Sequence, residues 1–541
     1  MSRLNFAVTS AAALASAGLL VIGPTALAGS ARSDTAAAIP ASCAPPTSTG
    51  GRAKAISGST THGDMAGMAG MAANPTHHST QELRDRLAHT PSGGTLTVQP
   101  GVYRGKLVID HPVTLVGIGH PILHGDGTGT VLTIRAAGTT VRDLMIEGSG
   151  PGPVDNPAGV SVQADRVVVK HLHIRDTYTG IWVEGVEDAQ VIGNVIEGRK
   201  AVAVSGETPR TNADMDMSDM AGMVMGAGKS AARAGRGDGV SLFNAIRPLV
   251  SGNAITDVRD GVYLEYGSGT KIECNRVDRG RYAIHSMYGK SVSVAGNHFA
   301  ANQSGPVMMY GDAVTLEGNV IRDEHSAATG FGVLLLDVSG ARLLRNVIVS
   351  NRVGLQIDGP LGDPRPTSVE LNTIALNQVG VGLYPSANAI LSQNSIVENT
   401  VQVLGLGPDG SGGKSSWSHG NVGNYWSDYR GYAGSGRGVG VMPHVEGAAA
   451  GRLLASDPTL MALVSSPAFT LLRAVEQRTA GQHPVAVDRS PIVEPRSPAL
   501  PSAASHAALG TGLVGATSLI ICSLALLRCR RRQWPVGRTK R

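Results

Sequence analysis

From about Gly94 to Leu406 the chain alternates short runs of Val, Ile and Leu with Gly, Asn and Asp, and helical periodicity is nearly absent. Runs of this kind read as strands bounded by turns. They also recur. The segments SGNAI, ECNRV, AGNHF and EGNVI place Asn253, Asn275, Asn297 and Asn319 at equal intervals, with looser copies at Asn346, Asn372 and Asn394 and an earlier one at Asn194. A period of this length with several strands per unit predicts an all-β fold, a right-handed parallel β-helix. Each coil would stack about 4.8 Å above the last, so that equivalent positions form columns. The repeated Asn is expected at a bend, bonding main-chain groups and its neighbours in the stack. Val195, Ile255, Val277, Val320 and Ile348 are expected to point inward.

A second column follows the first at a fixed offset, at Tyr266, Tyr288 and Tyr310, preceded by Glu265, Met287 and Met309. Side chains two apart on a strand share a face, so His285 falls beside Met287, with Met309 one coil above. The interval from Asn194 to Asn253 is far longer than the others, and the excess falls in an insertion at 207–236. The β-helix is expected over 92–420. A cap region at 421–500 would begin with GNYWSDYRGY (423–432) and hold a helix near Leu471–Gln477. A cap is needed because an open rod exposes unpaired strand edges.

The ends carry different signals. Residues 1–28 combine Arg3, an apolar run from Ala11 to Ile22 and Ala26-Leu27-Ala28, the order of a signal peptide. Residues 507–527 carry no charge and suffice to span a bilayer as a transmembrane helix. A sortase-type signal is the rival reading, but the Thr-Gly it needs after Leu500-Pro501 is absent. The basic tail, 528–541, holds seven cations, which places it in the cytoplasm and everything upstream at the extracytoplasmic face. Taking those seven and Arg3 from the formal +5 leaves −3 for the rest, so no nucleic-acid footprint remains. Of four cysteines only Cys43 and Cys274 lie outside the anchor, which excludes a disulfide framework and a Cys-based zinc site.

Candidate chemistry sits in two Met-rich segments. The linker at 29–91 contains His62, Met65, Met68, Met71, His77 and His78. The insertion contains Met215, Met217, Met220, Met223 and Met225, and both share DMAGM. Thioether sulfur is soft and uncharged, which suits Cu(I). Outside the cytoplasm Met does not oxidise to a disulfide as a Cys pair would. Both segments, and the trio His285, Met287 and Met309, are therefore candidate copper ligands. The competing reading is flexible hydrophobes at a partner surface or packing in a column.

Several stretches resemble one family. YAIHSMY (282–288), GPVMMY (305–310), GNYWSDYRGY (423–432) and SPAFTLLRAVEQ (466–477) followed by HPVAVDRSP occur together in this order, within 92–495. In these the chain resembles NosD, the nitrous-oxide-reductase maturation family of periplasmic copper-binding β-helix proteins. No residue is nominated as catalytic. The resemblance implies work beside the ATPase and membrane subunits of an ABC transporter, copper from a lipoprotein chaperone, and a client cuproenzyme, nitrous oxide reductase. The anchor and the Met-rich segments depart from the family pattern, as does AGSGRGVG after Tyr432 in place of an acidic run.

Two other classes use the same architecture. A carbohydrate-active enzyme would need carboxylates on an exposed face. Asp257, Asp260 and Asp278 with Arg259, Arg279 and Arg281 are the candidates, reading equally well as solvated turn residues. An adhesin or scaffold would leave the Met-rich segments without a purpose.

Overall fold

The computed structural model describes Cys43 and residues 77–152, 156–199, 236–326, 329–363, 365–407, 410–434 and 438–449. In the last part it describes 452–453, 460, 463–464, 466–479 and 484–499. The signal peptide, the linker Met/His residues 62–71, the Met-rich stretch 215–225 and the transmembrane segment with its tail lie outside these residues. Among the described residues no helix is long and apolar enough to cross a membrane.

Short strands and tight corners wind into a right-handed parallel β-helix of about 13 coils. Each coil contributes one strand to each of three parallel sheets of 14, 12 and 12 strands. The first sheet holds the strands after the repeated Asn. The second runs from Leu107–Ile109 to Val401–Gly405, and the third from Thr95–Val98 to Ala389–Ser392. Side chains alternate, and the inward ones form one aliphatic core along the axis.

The repeat has a local cause. The residue before each ladder Asn adopts a left-handed conformation: Gly193, Gly252, Gly296 and Gly318 have φ of 64°, 67°, 63° and 63°. Glycine takes that geometry without a Cβ clash. This corner turns each Asn into the stack. From Asn194 through Asn253, Asn275, Asn297, Asn319, Asn346, Asn372 and Asn394, each Nδ2 donates to the next Oδ1 at 2.8–3.0 Å. Each backbone N–H donates to the same oxygen. The expected structural ladder is therefore present, and it runs one step further. Asn424 of the GNYW motif is its last member, and Asp488 Oδ2 accepts from the Asn424 N–H at 2.7 Å and from Trp426 Nε1 at 3.0 Å.

The inward residue lies two after each Asn: Ile196, Ile255, Val277, Phe299, Ile321, Ile348, Ile374, Ile396 and finally Trp426. Val195 and Val320 were expected inside and are not. Val195 is 41% exposed and Val320 half-buried. Both stand one position after Asn, and a shift of one residue moves a side chain to the other face of the sheet.

Both ends are closed. Residues 77–91, expected within a flexible linker, instead form the strand His77–Ser79, paired with Val102–Arg104, and the helix Thr80–His89. Ser79 caps that helix by accepting from the Gln81 N–H at 3.1 Å. Its Leu83 and Leu87 plug the first coil. At the other end Trp417, Trp426 and the antiparallel pair His444–Gly447 and Pro484–Asp488 cover the last coil. The helix anticipated near Leu471–Gln477 spans Pro467–Thr479. It does not sit on the open end. Phe469 and Val464 instead join Phe331, Val353, Val379 and Val401 in a second cluster on the outer flank of the second sheet, where outward positions are apolar.

Cys43 and Cys274 form a disulfide across 231 residues. Two cysteines make no framework, but they do make one staple. Cys274 occupies the left-handed corner, φ 56°, that glycine holds in neighbouring coils.

Candidate functional site

The insertion interrupts the corner between the first and second sheets, and its neck is tied. Arg236 Nε donates to Arg199 O at 2.7 Å, and the Gly237 N–H donates to Tyr178 O at 2.9 Å. The same corner in this coil and the next two carries a buried charged network. Asp238 takes a bidentate pair from Arg259 at 2.9 and 2.8 Å. One coil on, Asp260 takes the same from Arg281 at 2.8 and 2.5 Å. His285 Nδ1 lies 3.1 Å from Asp260 Oδ2 and 3.4 Å from Arg281 Nη2. The Asp260 carboxylate only accepts and is the shorter contact, so Nδ1 is the donor to it. Tyr263 and Tyr282 face the imidazole edge-on, each at 5.2 Å.

Burial raises the cost of charge here and the guanidiniums oppose it, with opposite outcomes at the two aspartates. Burial works against the Asp260 carboxylate, but the Arg281 charge and the hydrogen bonds from His285 and Arg281 hold it well below the usual carboxylate range. Asp238 is pushed up, by burial first and by the Asp260 charge, with Arg259 opposing.

Asp260 is fully buried, Asp278 and Arg281 nearly so. Their reading as solvated turn residues is corrected; it holds for the exposed pair Arg279–Asp257, 2.7 Å apart. Desolvation is tolerated at Asp260 because Arg281 neutralises it in the same corner. Sequence offered a signal for this: GDGV at 237–240 and RDGV at 259–262 repeat Asp-Gly at the coil period.

Of the nominated ligands, three come together on one surface. His285 pairs with Val307, and Glu265, Met287, Met309 and Leu336 form one outward column on adjacent strands. Met309 is buried and Met287 half-buried, packed with Tyr282 and Val307. The carboxylate on Nδ1 leaves Nε2 as the ring nitrogen for another partner, the arrangement that orients metal-ligating imidazoles. At the rim, Tyr266, Tyr288 and Tyr310 stack at 4.9 and 5.4 Å, each in the left-handed region with φ of 53°, 56° and 54°.

His77 and His78 do not join them. They lie at the N-terminal end, seven strand steps away along the first sheet, roughly 34 Å at one strand spacing per step. His78 stacks on Tyr103 at 4.9 Å, with Nδ1 3.5 Å from Glu82. His62, Met65, Met68 and Met71, and Met215, Met217, Met220, Met223 and Met225, lie outside the described residues. Among the described residues, one His/Cys/Asp/Glu group is tight enough to hold a metal ion: Asp428, His444 and Glu446 in the cap, none of them nominated from sequence.

Fold and face together define a parallel β-helix protein whose outer flank holds a buried, carboxylate-oriented imidazole on the same face as two thioethers. Residues 214–431 match the family described as "Periplasmic copper-binding protein (NosD)". The chain is 28% identical over 424 residues to the "Probable ABC transporter binding protein NosD" of Pseudomonas aeruginosa, covering 74% of this chain and 90% of that one. It is 27% identical over 391 residues to the protein of the same name from Stutzerimonas stutzeri, covering 70% and 81%. The chain is NosD-like. Among solved structures it is similar to a PL6 alginate lyase in complex with a trisaccharide, with TM-score 0.46 and 13% identity, covering 66% of this chain and 86% of that one. It is also similar to the A-module of a mannuronan C-5 epimerase from Azotobacter vinelandii, with TM-score 0.42 and 15% identity, covering 62% and 92%.

Proposed function

We propose that this chain is an extracytoplasmic copper-handling accessory protein that works with an ABC transporter to assemble the metal centre of a cuproenzyme, by family resemblance nitrous oxide reductase. The observation that carries the reading is the place where the Met-rich insertion joins the rod. Its neck at Arg199 and Arg236 opens on the corner that holds Asp238, one coil from Asp260 and just before the second-sheet strand. The segment that carries five thioethers therefore leaves and rejoins the rod two coils before His285 and Met287 and three before Met309, on the same sheet. Soft ligands at both places suit Cu(I) passed by exchange. Residues 507–527 would anchor the rod beside the transporter, and a copper-chaperone lipoprotein would load it.

A polysaccharide-cleaving role is the weaker reading, because the paired carboxylates are buried and clamped by arginines where substrate would need access.

Titration of the purified chain with Cu(I) against a competing chelator tests the reading. Replacing Met215, Met217, Met220, Met223 and Met225 by Leu should lower the bound copper, and M287L with M309L should lower it further. Equal binding by all three proteins would remove copper from the account. Deleting the gene should reduce the copper content of the host's exported cuproenzymes; unchanged loading would remove the maturation role.

A further inference from the structure

We infer that Asp428, His444 and Glu446 form a site for a divalent first-row cation that ties the C-terminal cap to the last coil. The three residues come from two segments. Asp428 follows the strand Tyr425–Trp426, the last of the first sheet. His444 and Glu446 lie two apart on the strand His444–Gly447, which pairs with Pro484–Asp488. His444 Nε2 is 3.0 Å from Glu446 Oε1 and 3.8 Å from Asp428 Oδ1. One donor atom from each residue falls within 4.8 Å of the others. An ion with bonds of about 2.0–2.2 Å holds tetrahedral donors about 3.3–3.6 Å apart, so the two pairs made by His444 Nε2 need shifts of only a few tenths of an ångström, and the two carboxylates, within 4.8 Å of each other, close on the ion as it binds.

The surroundings orient these groups. The His444 ring stacks on Trp426 at 4.4 Å with an interplanar angle of 24°, which holds Nε2 toward the carboxylates. Glu446 is 1% exposed and His444 is 8% exposed, while Asp428 is half-buried and gives a path to solvent. A neutral imidazole with two carboxylates offers a charge of −2 and hard or borderline donors. That set suits Zn²⁺, Co²⁺ or Mn²⁺ and lacks the thioethers that favour Cu(I). The site is thus distinct in position and chemistry from the His285–Met287–Met309 face. The competing arrangement is an imidazolium clamped by the two acids, which binds no ion.

The purified full chain, stripped with chelator, would be titrated with Zn²⁺ and separately with Co²⁺. The wild type should bind one more equivalent of Zn²⁺ than H444A and than E446Q. Co²⁺ should give a visible d–d band and quench Trp426 emission, and both signals should vanish in those variants. The melting temperature should rise with Zn²⁺ in the wild type alone. If H444A does not fold, D428N at the half-exposed edge carries the comparison, with at least a tenfold loss of Zn²⁺ affinity expected. Equal Zn²⁺ stoichiometry in wild type and variants, or Zn²⁺ and Co²⁺ binding that leaves Trp426 emission unchanged, would overturn the proposal.

Discussion

Truncating Asn297 to Ala in the middle of the ladder strands two buried donors on Asn275, and at about 1–3 kcal/mol for each unsatisfied buried group it should destabilise the rod by about 2–6 kcal/mol. Asn297 Oδ1 accepts from the Asn275 N–H at 2.8 Å and from Asn275 Nδ2 at 3.0 Å. Its Nδ2 donates to Ile272 O at 2.8 Å and to Asn319 Oδ1 at 3.0 Å. The substitution preserves the bond from its own N–H to Asn319, so that oxygen keeps a donor. Asn297→Asp separates the acceptor role of the side chain from its donor role. It keeps the acceptor, loses the donor and buries a carboxylate against the Ile272 carbonyl and Asn319 Oδ1. That variant should be at least as unstable at neutral pH and recover as acid protonates it. Urea unfolding followed by far-UV circular dichroism gives the midpoint. Because coils can open separately, amide exchange of the segment around Asn275 gives the local term. Arg345→Ala is the control: its pair with Glu317 at 3.3 Å is exposed on both sides, and such pairs are worth about 0–1 kcal/mol. If N297A lies within about 0.5 kcal/mol of the control and the Asn275 amide stays protected, the ladder does not hold the stack.

A second ladder gives a pH prediction. The Asn302 N–H and Nδ2 donate to Glu324, whose N–H donates to Asn351, followed by Asn377 and Asn399. Burial pushes the Glu324 carboxyl up to about 8, against 4.5 when free. Between these values the native state keeps a proton that the unfolded chain has lost, so stability falls as pH rises through the window, by a few kcal/mol on the order of the shift. Glu324→Gln should flatten that slope and stabilise the chain at pH 7.5 but not at pH 4.5, read from urea midpoints; an unchanged slope would refute the assignment. The disulfide makes another prediction. Proteolysis between residues 44 and 76 should leave the Cys43 fragment attached on non-reducing gels in the wild type and release it in Cys274→Ser. By loop entropy the bond contributes up to about 5 kcal/mol, and equal unfolding midpoints with and without reductant would refute that contribution.

The architecture was legible because one constraint recurs. A left-handed corner, then Asn, then an inward aliphatic residue two positions on, writes itself into the sequence at each coil. The Asn alone fixed the coil period without fixing the face, hence the one-residue error at Val195 and Val320. The second ladder was hidden because Glu324 breaks its residue type, although it sits five positions after Asn319 just as Asn302 sits five after Asn297. The staple was hidden because Cys43 and Cys274 are 231 residues apart and nothing in the spacing joins them.

Chemistry was harder to read than fold for a physical reason. Arg-Asp neighbours at 259–260 look like any solvated corner, since a β-helix turns through polar residues in every coil. What changes them is the stack. Asp238, Asp260 and Tyr282 lie in one column, so each guanidinium on one coil meets the carboxylate of the coil before it, and the apolar flank under Phe469 and Val464 extends over the neighbouring positions. Charge that would be screened at an isolated turn is thereby removed from water and must be paired. A buried imidazole fixed by a carboxylate that is itself fixed by an arginine is a rigid group, and His285 is the only one of the three nominated ligands with that support. Met287 and Met309 have only packing around them. Replacing Asp260 by Asn therefore tests orientation without touching a ligand: if copper is held on this face, D260N should weaken it while leaving binding by the Met-rich insertion intact, and an unchanged affinity at the face would show that His285 is a structural histidine.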